Sequence, residues 1–139
     1  MGFRASFCDP FREDVIELGY IGENDIIKKF KSINWNDYLM RMKTANEDNI
    51  HYSPSLEIEN EDNKNGIEIS AIEMDADNNI EFYIFYKRPK LITKFFGLSK
   101  SMNEDYLTNA VEQTEKDAID CLNALINNDL DFLESKINR

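Results

Sequence analysis

The chain has 139 residues, of which 42% are hydrophobic and 12% aromatic, and its formal net charge is −11. This composition excludes a disordered acidic tail, and the length predicts a single domain over residues 1–139. With no apolar run long enough to span a bilayer and no basic-then-apolar leader, we expect a cytoplasmic protein without membrane contact. The two cysteines, Cys8 and Cys121, match no metal-binding spacing and are expected to be free thiols.

The first third of the chain is predicted to be mainly helical. Alternating apolar residues indicate a short strand over residues 3–7. An Asp-Pro pair followed ten residues later by glycine predicts a helix over residues 9–19, because aspartate caps helices and glycine ends them. Apolar residues at helical spacing then predict a second helix from Asn24 and a third from Trp35.

The middle of the chain changes to strand periodicity. Alternating apolar and polar residues predict three antiparallel strands within residues 53–60, 66–75 and 80–87, joined by an Asn-Gly turn and a second turn rich in aspartate and asparagine. A bulge near Ser70–Ala71 is needed to keep the apolar residues that follow it on the core face. Pro89 is predicted to end the third strand, because proline cannot donate a ladder hydrogen bond.

The C-terminal part is predicted to return to helix. Residues 91–98 fit either an edge strand or a packed loop, and the sequence leaves that choice open. Ser101 and Glu104 have the spacing of a capping box, and a continuous apolar stripe predicts one long helix from there to Leu125. Two asparagines end it, and a short closing helix is predicted over residues 130–137.

The order of these elements predicts an α+β fold. We expect an antiparallel three- to four-stranded meander, with N-terminal and C-terminal helices packed on one face. If the apolar strand positions face the helices, the opposite face carries acids around two aromatic side chains. Aromatic anchors ringed by charge are typical of a protein-binding surface. The alternative is that a loop, the N-terminal segment or the last helix covers the two aromatics. The predicted partner-binding residues are Glu57, Glu59, Glu68, Glu73, Glu81, Tyr83 and Phe85.

Charge is distributed unevenly along the chain. Residues 44–86 contain eleven acids and one base, whereas residues 87–100 contain five bases and no acid. An acidic surface repels the phosphates of nucleic acids and attracts basic proteins. We therefore expect a basic protein partner and no nucleic acid, and we interpret the short basic run as an offset to local repulsion.

No catalytic or metal-binding motif is visible in the sequence. His51 is the only histidine, and no serine or cysteine motif accompanies it. The segment from Asp75 begins like an EF-hand loop, but Ile80 and Tyr86 stand where that loop needs glycine and glutamate. We therefore expect a protein that is not an enzyme and that needs no metal or cofactor.

In size, acidity and element order the chain resembles bacterial immunity proteins of contact-dependent inhibition and other polymorphic toxin systems. The stretches "INWNDYLMRM", "SPSLEIEN" and "EFYIFYKRPK" carry the resemblance. It implies binding of a cognate toxin domain, often a basic nuclease, whose active site the immunity protein occludes. An acidic, type III-like secretion chaperone, which would dimerise and hold an effector segment, is the alternative. The sequence leaves open whether the chain is a monomer or a homodimer.

Overall fold

The computed structural model describes residues 2–94 and 99–139. An α+β fold and an antiparallel sheet, both predicted, are confirmed, but the sheet has six strands in the order β2-β1-β3-β4-β5-β6. The strands are β1 (Phe3–Cys8), β2 (Ile16–Ile21), β3 (Ser55–Asn60), β4 (Gly66–Met74), β5 (Ile80–Lys94) and β6 (Ser99–Gln113). The helices are α1 (Ile26–Ser32), α2 (Trp35–Thr44), α3 (Glu115–Ile126) and α4 (Leu130–Lys136), with 3₁₀ turns at Glu23–Asp25 and Glu47–Asn49. No helix in the described ranges is both long enough and apolar enough to cross a membrane.

One face of the sheet carries the apolar core. Alternate residues of β1, β3, β4 and β5 point to this face, and all four helices add their apolar residues to the same buried cluster. Each fully buried aliphatic or aromatic side chain contributes about 1.5–3 kcal/mol. The largest fully buried side chains are Tyr86, Phe30, Phe82, Ile26, Leu56, Ile58, Ile67, Ile69, Ile84, Leu122, Leu125 and Leu133.

The junction of α1 and α2 is fixed against the sheet by aromatic packing. The Trp35 indole donates a hydrogen bond to the carbonyl of Phe30 over 3.1 Å. The Trp35 ring also lies 5.6 Å from the Phe30 ring and 5.5 Å, edge-on, from the Phe82 ring of β5. Of the three predicted N-terminal helices, the one from Trp35 is thus confirmed, and the one from Asn24 is confirmed with its α-helical part starting at Ile26; their apolar stripes hold both on the core face of the sheet.

The predicted helix over residues 9–19 is wrong, because this segment supplies the edge strand β2. Asp9 does cap a turn locally, since its carboxylate accepts a hydrogen bond from the Phe11 amide at 2.9 Å. The chain then pairs with β1 instead of continuing as a helix. Gly19 does not end a helix; it adopts a φ of +78° beside a register shift in the β1–β2 ladder, where glycine tolerates the bulged backbone.

The three predicted strands of the meander are confirmed, with two local differences. The β3–β4 loop places its positive φ, +60°, at Lys64, so Gly66 starts β4 instead of forming the turn. The predicted bulge lies slightly further along, between Ala71 and Glu73. Ile72 is therefore the extra residue, and Ala71 is the side chain buried in the core.

The prediction that Pro89 ends the third strand is also wrong. β5 continues through Pro89 to Lys94, pairing with β6 alone, because β4 follows β5 only as far as Lys87. The β5–β6 register shifts between Arg88 and Lys90, so the proline lies where the ladder is already interrupted. Of the segment whose structure the sequence left open, residues 91–94 belong to β5, whereas residues 95–98 lie outside the described residues.

The predicted helix from Ser101 to Leu125 is wrong in its first half, which forms β6. Pairing with β5 buries Thr108 and Ala110 on the core face, and this tertiary contact overrides the helical spacing of the apolar residues. Helix α3 starts later, at a capping box in which Thr114 and Asp117 exchange hydrogen bonds of 3.1 and 2.8 Å. Because two segments predicted as helix are strands, the predicted three- to four-stranded meander is a six-stranded sheet.

Candidate protein-binding face

The face of the sheet opposite the core is the candidate functional site, and we refer to it as the outer face. Strand register brings three of the predicted residues into one row, because Glu57 pairs with Glu68 and Glu68 pairs with Phe85. Tyr83 and Phe85 are both partly exposed. Two of the segments considered as covers lie elsewhere: the N-terminal segment is a strand of the sheet, and α4 buries Leu133 in the core.

A hollow of about 250 Å³ lies in this row. Gly66 is one of its lining residues, and a Cβ added there would lie 3.4 Å from the Ile58 carbonyl oxygen of the neighbouring strand. We name this feature the Gly66 hollow. The residues that line it are Glu57, Gly66, Glu68, Phe85, Lys87 and Leu107. It combines two carboxylates, one ammonium group and two apolar side chains within the reach of a single incoming side chain.

The remaining predicted residues do not join this cluster. Glu73 and Glu81 pair across β4 and β5 beside the bulge and line a separate hollow of about 480 Å³, together with Glu112 of β6. Tyr83 lies between the two groups, opposite Ser70. Of the seven predicted residues, three line the Gly66 hollow, two line the second hollow, Tyr83 lies between them, and Glu59 lies beside the Gly66 hollow, where it pairs with Lys87.

Acids outnumber cations around the Gly66 hollow. Lys87 reaches Glu59, with 3.6 Å between its Nζ and the carboxylate, so its charge is shared with an acid outside the hollow. Burial raises the pKa of Glu68 above its ordinary value, the Glu57 charge raises it further, and Lys87 lowers it in part. The paired carboxylates thus repel each other, and a cation entering the hollow would relieve that repulsion.

Cys8 lies near this row, and its surroundings disfavour the thiolate form. Burial raises the pKa of the Cys8 thiol, and the charges of Glu68 and Glu57 raise it further. A thiol in such an environment stays protonated at neutral pH, whereas reactive cysteines need a lowered pKa. Within the described ranges, no group of three or more histidine, cysteine, aspartate or glutamate side chains is arranged to hold a metal ion.

Two other sequence features have simple structural roles. Asp75 caps the β4–β5 turn by accepting hydrogen bonds from the amides of Asp77 and Asn79, each over 2.9 Å, so the EF-hand-like stretch forms a hairpin turn. His51 is exposed and its amide donates to the Pro10 carbonyl over 2.7 Å. Both residues lie in loops away from the Gly66 hollow.

Sequence reasoning included Phe85 but missed two other residues of the site, Leu107 and Gly66. Leu107 borders the hollow with 54% of its surface exposed, yet its spacing placed it on the core stripe of a helix. Gly66 was likewise interpreted as a turn residue. Both roles depend on the pairing of distant strands, which a single sequence does not display. Comparison with known protein families, curated proteins and solved structures finds no match to this chain.

A neutral substitution tests the electrostatics of the hollow. Because the raised pKa of Glu68 means that the folded state binds a proton more tightly than the unfolded state, its contribution to stability falls as pH rises. We therefore expect Glu68→Gln to raise the melting temperature at pH 7, with the gain disappearing as the pH falls toward 4. The control Glu59→Gln removes the ion pair with Lys87 and is expected to give no gain. Equal melting temperatures of wild type and Glu68→Gln at pH 7 would contradict this description of the hollow.

Proposed function

We propose that this chain is an immunity protein that binds and neutralises a cognate bacterial toxin domain through its outer face. The observation that carries the proposal is the Gly66 hollow, where the carboxylates of Glu57 and Glu68 adjoin the apolar side chains of Phe85 and Leu107. This is the combination of buried anchor and charged border found at the centres of protein interfaces.

The charge of the outer face favours a basic partner. Residues 44–86 contain eleven acids and one base, and five of these acids lie on β3, β4 and β5 of the outer face: Glu57, Glu59, Glu68, Glu73 and Glu81. A domain that acts on nucleic acid carries cations around its active site, and an acidic face can cover those cations. Complementary charge can raise association rates toward about 10⁸–10⁹ M⁻¹s⁻¹ at low salt, which suits an antidote that must act before the toxin does.

The apolar residues supply affinity that charge alone does not give. Burying the exposed part of Leu107 and of Phe85 removes apolar surface from water, whereas exposed ion pairs contribute only about 0–1 kcal/mol each. The toxin is therefore expected to place an apolar side chain beside an arginine or lysine at this position.

The experiment that tests the function starts from the tagged chain and a lysate of the source cells. We expect one dominant folded, basic domain to be retained at low salt and lost at high salt, identified by mass spectrometry. Expression of that domain alone should stop bacterial growth, and co-expression of this chain should restore it. Capture of an unfolded effector segment, or a captured protein with no effect on growth, would overturn the proposal.

A further inference from the structure

Strand β2 forms an open edge of the sheet. It pairs with β1 on one side, and within residues 2–94 and 99–139 no hydrogen bond is made to its other side. The opposite edge, β6, is partly covered, because the Asn109 amide donates to the Arg139 carbonyl over 3.1 Å. The sequence of β2, IELGYI, contains neither lysine nor proline, two residues that commonly keep an edge strand unpaired. Its outward amide and carbonyl groups can therefore pair with a further strand.

A cavity of about 350 Å³ lies between this edge strand and the helices α1 and α2. The apolar side chains that line it are Phe7, Ile16, Leu18, Ile33 and Tyr38. Leu18 is the extra residue of the bulge in β2, since the pairing moves from Ala5–Gly19 directly to Ser6–Glu17. Its side chain is 37% exposed, so the cavity reaches the surface at the open edge. We name the edge and this cavity together the β2 groove.

The β2 groove carries a positive charge that no acid of the chain neutralises. Lys29 of α1 lines the cavity, is partly buried, and forms no ion pair in the part of the chain that the structure describes. The other charged residues of the lining, Arg41 and Asp37, pair with each other over 3.7 Å. A partly buried ammonium group beside apolar surface favours a ligand that brings a carboxylate together with an apolar group.

We propose that the β2 groove is a strand-addition site for an extended, acidic segment of a partner protein. The segment pairs its backbone with the open edge of β2, places a large apolar side chain in the cavity, and places a carboxylate beside Lys29. Side chains two residues apart in a strand point to the same face, so both groups can reach the helix side of the sheet. No residue of the groove lines the Gly66 hollow, and the proposal does not rest on the proposed function.

The charge favours such a segment over a second copy of this chain. If β2 paired with its own copy about a two-fold axis, the side chains that it turns toward the helices would be those of Ile16, Leu18 and Ile21. None of these is acidic. Glu17 lies opposite Ser6 and therefore points to the outer face, away from Lys29. A second copy would thus leave the lysine of each groove without a partner.

Selection from a displayed library of random nine-residue peptides, with the full chain as bait, tests the site. We expect the enriched peptides to share a large apolar residue with aspartate or glutamate two positions away. For the most enriched peptide, Leu18→Lys and Lys29→Glu should each raise the Kd about tenfold or more, because they put a charge in the cavity or oppose like charges. The control Lys28→Glu makes the same charge change at an exposed position of α1 outside the cavity, and it should bind like the wild type. Fluorescence anisotropy of the labelled peptide measures each Kd.

Reciprocal charge reversal keeps the test informative if a variant is destabilised. The same peptide with lysine in place of its acid should bind Lys29→Glu about tenfold more tightly than it binds the wild type, which only a folded variant can do. Hydrogen exchange of the β2 amides should slow when the original peptide binds. A library without enrichment, enriched peptides that bind both groove variants like the wild type, or β2 amides that stay unprotected would each overturn the proposal. A wild-type dimer that Leu18→Lys dissociates would assign the edge to a second copy and overturn it as well.

Discussion

Replacing Arg88 with methionine is expected to lower the free energy of unfolding by about 2–3 kcal/mol. The Arg88 side chain is 6% exposed and binds Glu134 through two hydrogen bonds of 2.7 and 3.2 Å. It also donates to the Tyr86 carbonyl and to the Thr108 hydroxyl, over 3.0 and 2.6 Å. Methionine has a similar volume, but it leaves the buried Tyr86 carbonyl and Thr108 hydroxyl without the hydrogen bonds that Arg88 donates to them.

Arg88 also joins parts of the chain that are distant in sequence. Its guanidinium stacks on the rings of Tyr86 and Tyr106, 4.1 and 4.7 Å from the ring centres, and so connects β5 to β6 just beyond the point where β4 stops pairing with β5. Thr108, which accepts a hydrogen bond from Arg88, donates one to the Ile137 carbonyl over 2.7 Å and so links the network to the end of α4. The loss of Arg88 should therefore loosen the end of α4 as well as the pairing of β5 with β6.

A matched control separates this buried network from ordinary surface charge. Lys90 approaches the same Glu134 carboxylate, but at 3.8 Å and with 44% of its side chain exposed, so Lys90→Met is expected to cost less than about 1 kcal/mol. Urea unfolding of both variants measures the difference. Similar losses for the two variants would mean that the Arg88 network contributes no more than a surface ion pair.

The parts of the fold that could be predicted from the sequence are those set by local patterns. The alternation of apolar and polar residues over 53–60, 66–75 and 80–87 predicted three strands with outward-facing acids, because successive side chains of a strand point to opposite faces. Apolar residues at helical spacing from Trp35 predicted α2, and the apolar stripe ending at Leu125 predicted α3. These elements present one apolar face to the core whatever their neighbours are.

The wrong predictions are those in which long-range pairing overrode a local signal. The Asp-Pro pair before β2 and the capping-box spacing at Ser101 both favour a helix locally. In the structure these segments instead satisfy their backbone groups by pairing with β1 and β5. Pro89 was interpreted as a strand end because proline cannot donate a ladder hydrogen bond. Whether a strand can nevertheless contain a proline depends on its register with the neighbouring strand, which is interrupted at Pro89. A single sequence records neither the partner strand nor its register.

The candidate site could be predicted only in part, for the same reason. Strand parity placed the acids and aromatics on one face without any knowledge of the topology. The Gly66 hollow needs the cross-strand register, and Leu107 needs β6 to be a strand. Charge and aromatic content were thus predictable, whereas the shape and the apolar border of the site were not.

Reversing the two carboxylates of the Gly66 hollow is expected to weaken toxin binding by about 100-fold or more at low salt. The face variant, Glu57→Lys with Glu68→Lys, replaces two attractive charges with two repulsive ones at the proposed centre of the interface. Like charges opposed across an interface cost several kcal/mol, and each 1.4 kcal/mol is a tenfold change in affinity. Most of the salt dependence of binding should disappear with these charges.

The control for this variant is the protein with Glu23→Lys and Glu47→Lys, which undergoes the same change in net charge at exposed acids of the 3₁₀ turns. It is expected to bind within about threefold of the wild type, because long-range steering changes little when charges far from the interface are altered. Comparing the two variants therefore separates a local effect of the outer face from a general effect of acidity. Circular dichroism melting curves verify that both variants are folded.

The measurement that tests the central claim most directly is a titration of the captured toxin domain with wild type, face variant and control variant at low and high salt. If the outer face is the binding surface, wild type and control bind tightly and lose affinity as salt rises, whereas the face variant binds weakly at both salt concentrations. If the face variant binds as tightly as the wild type while its melting curve shows a folded protein, the toxin does not dock on the outer face.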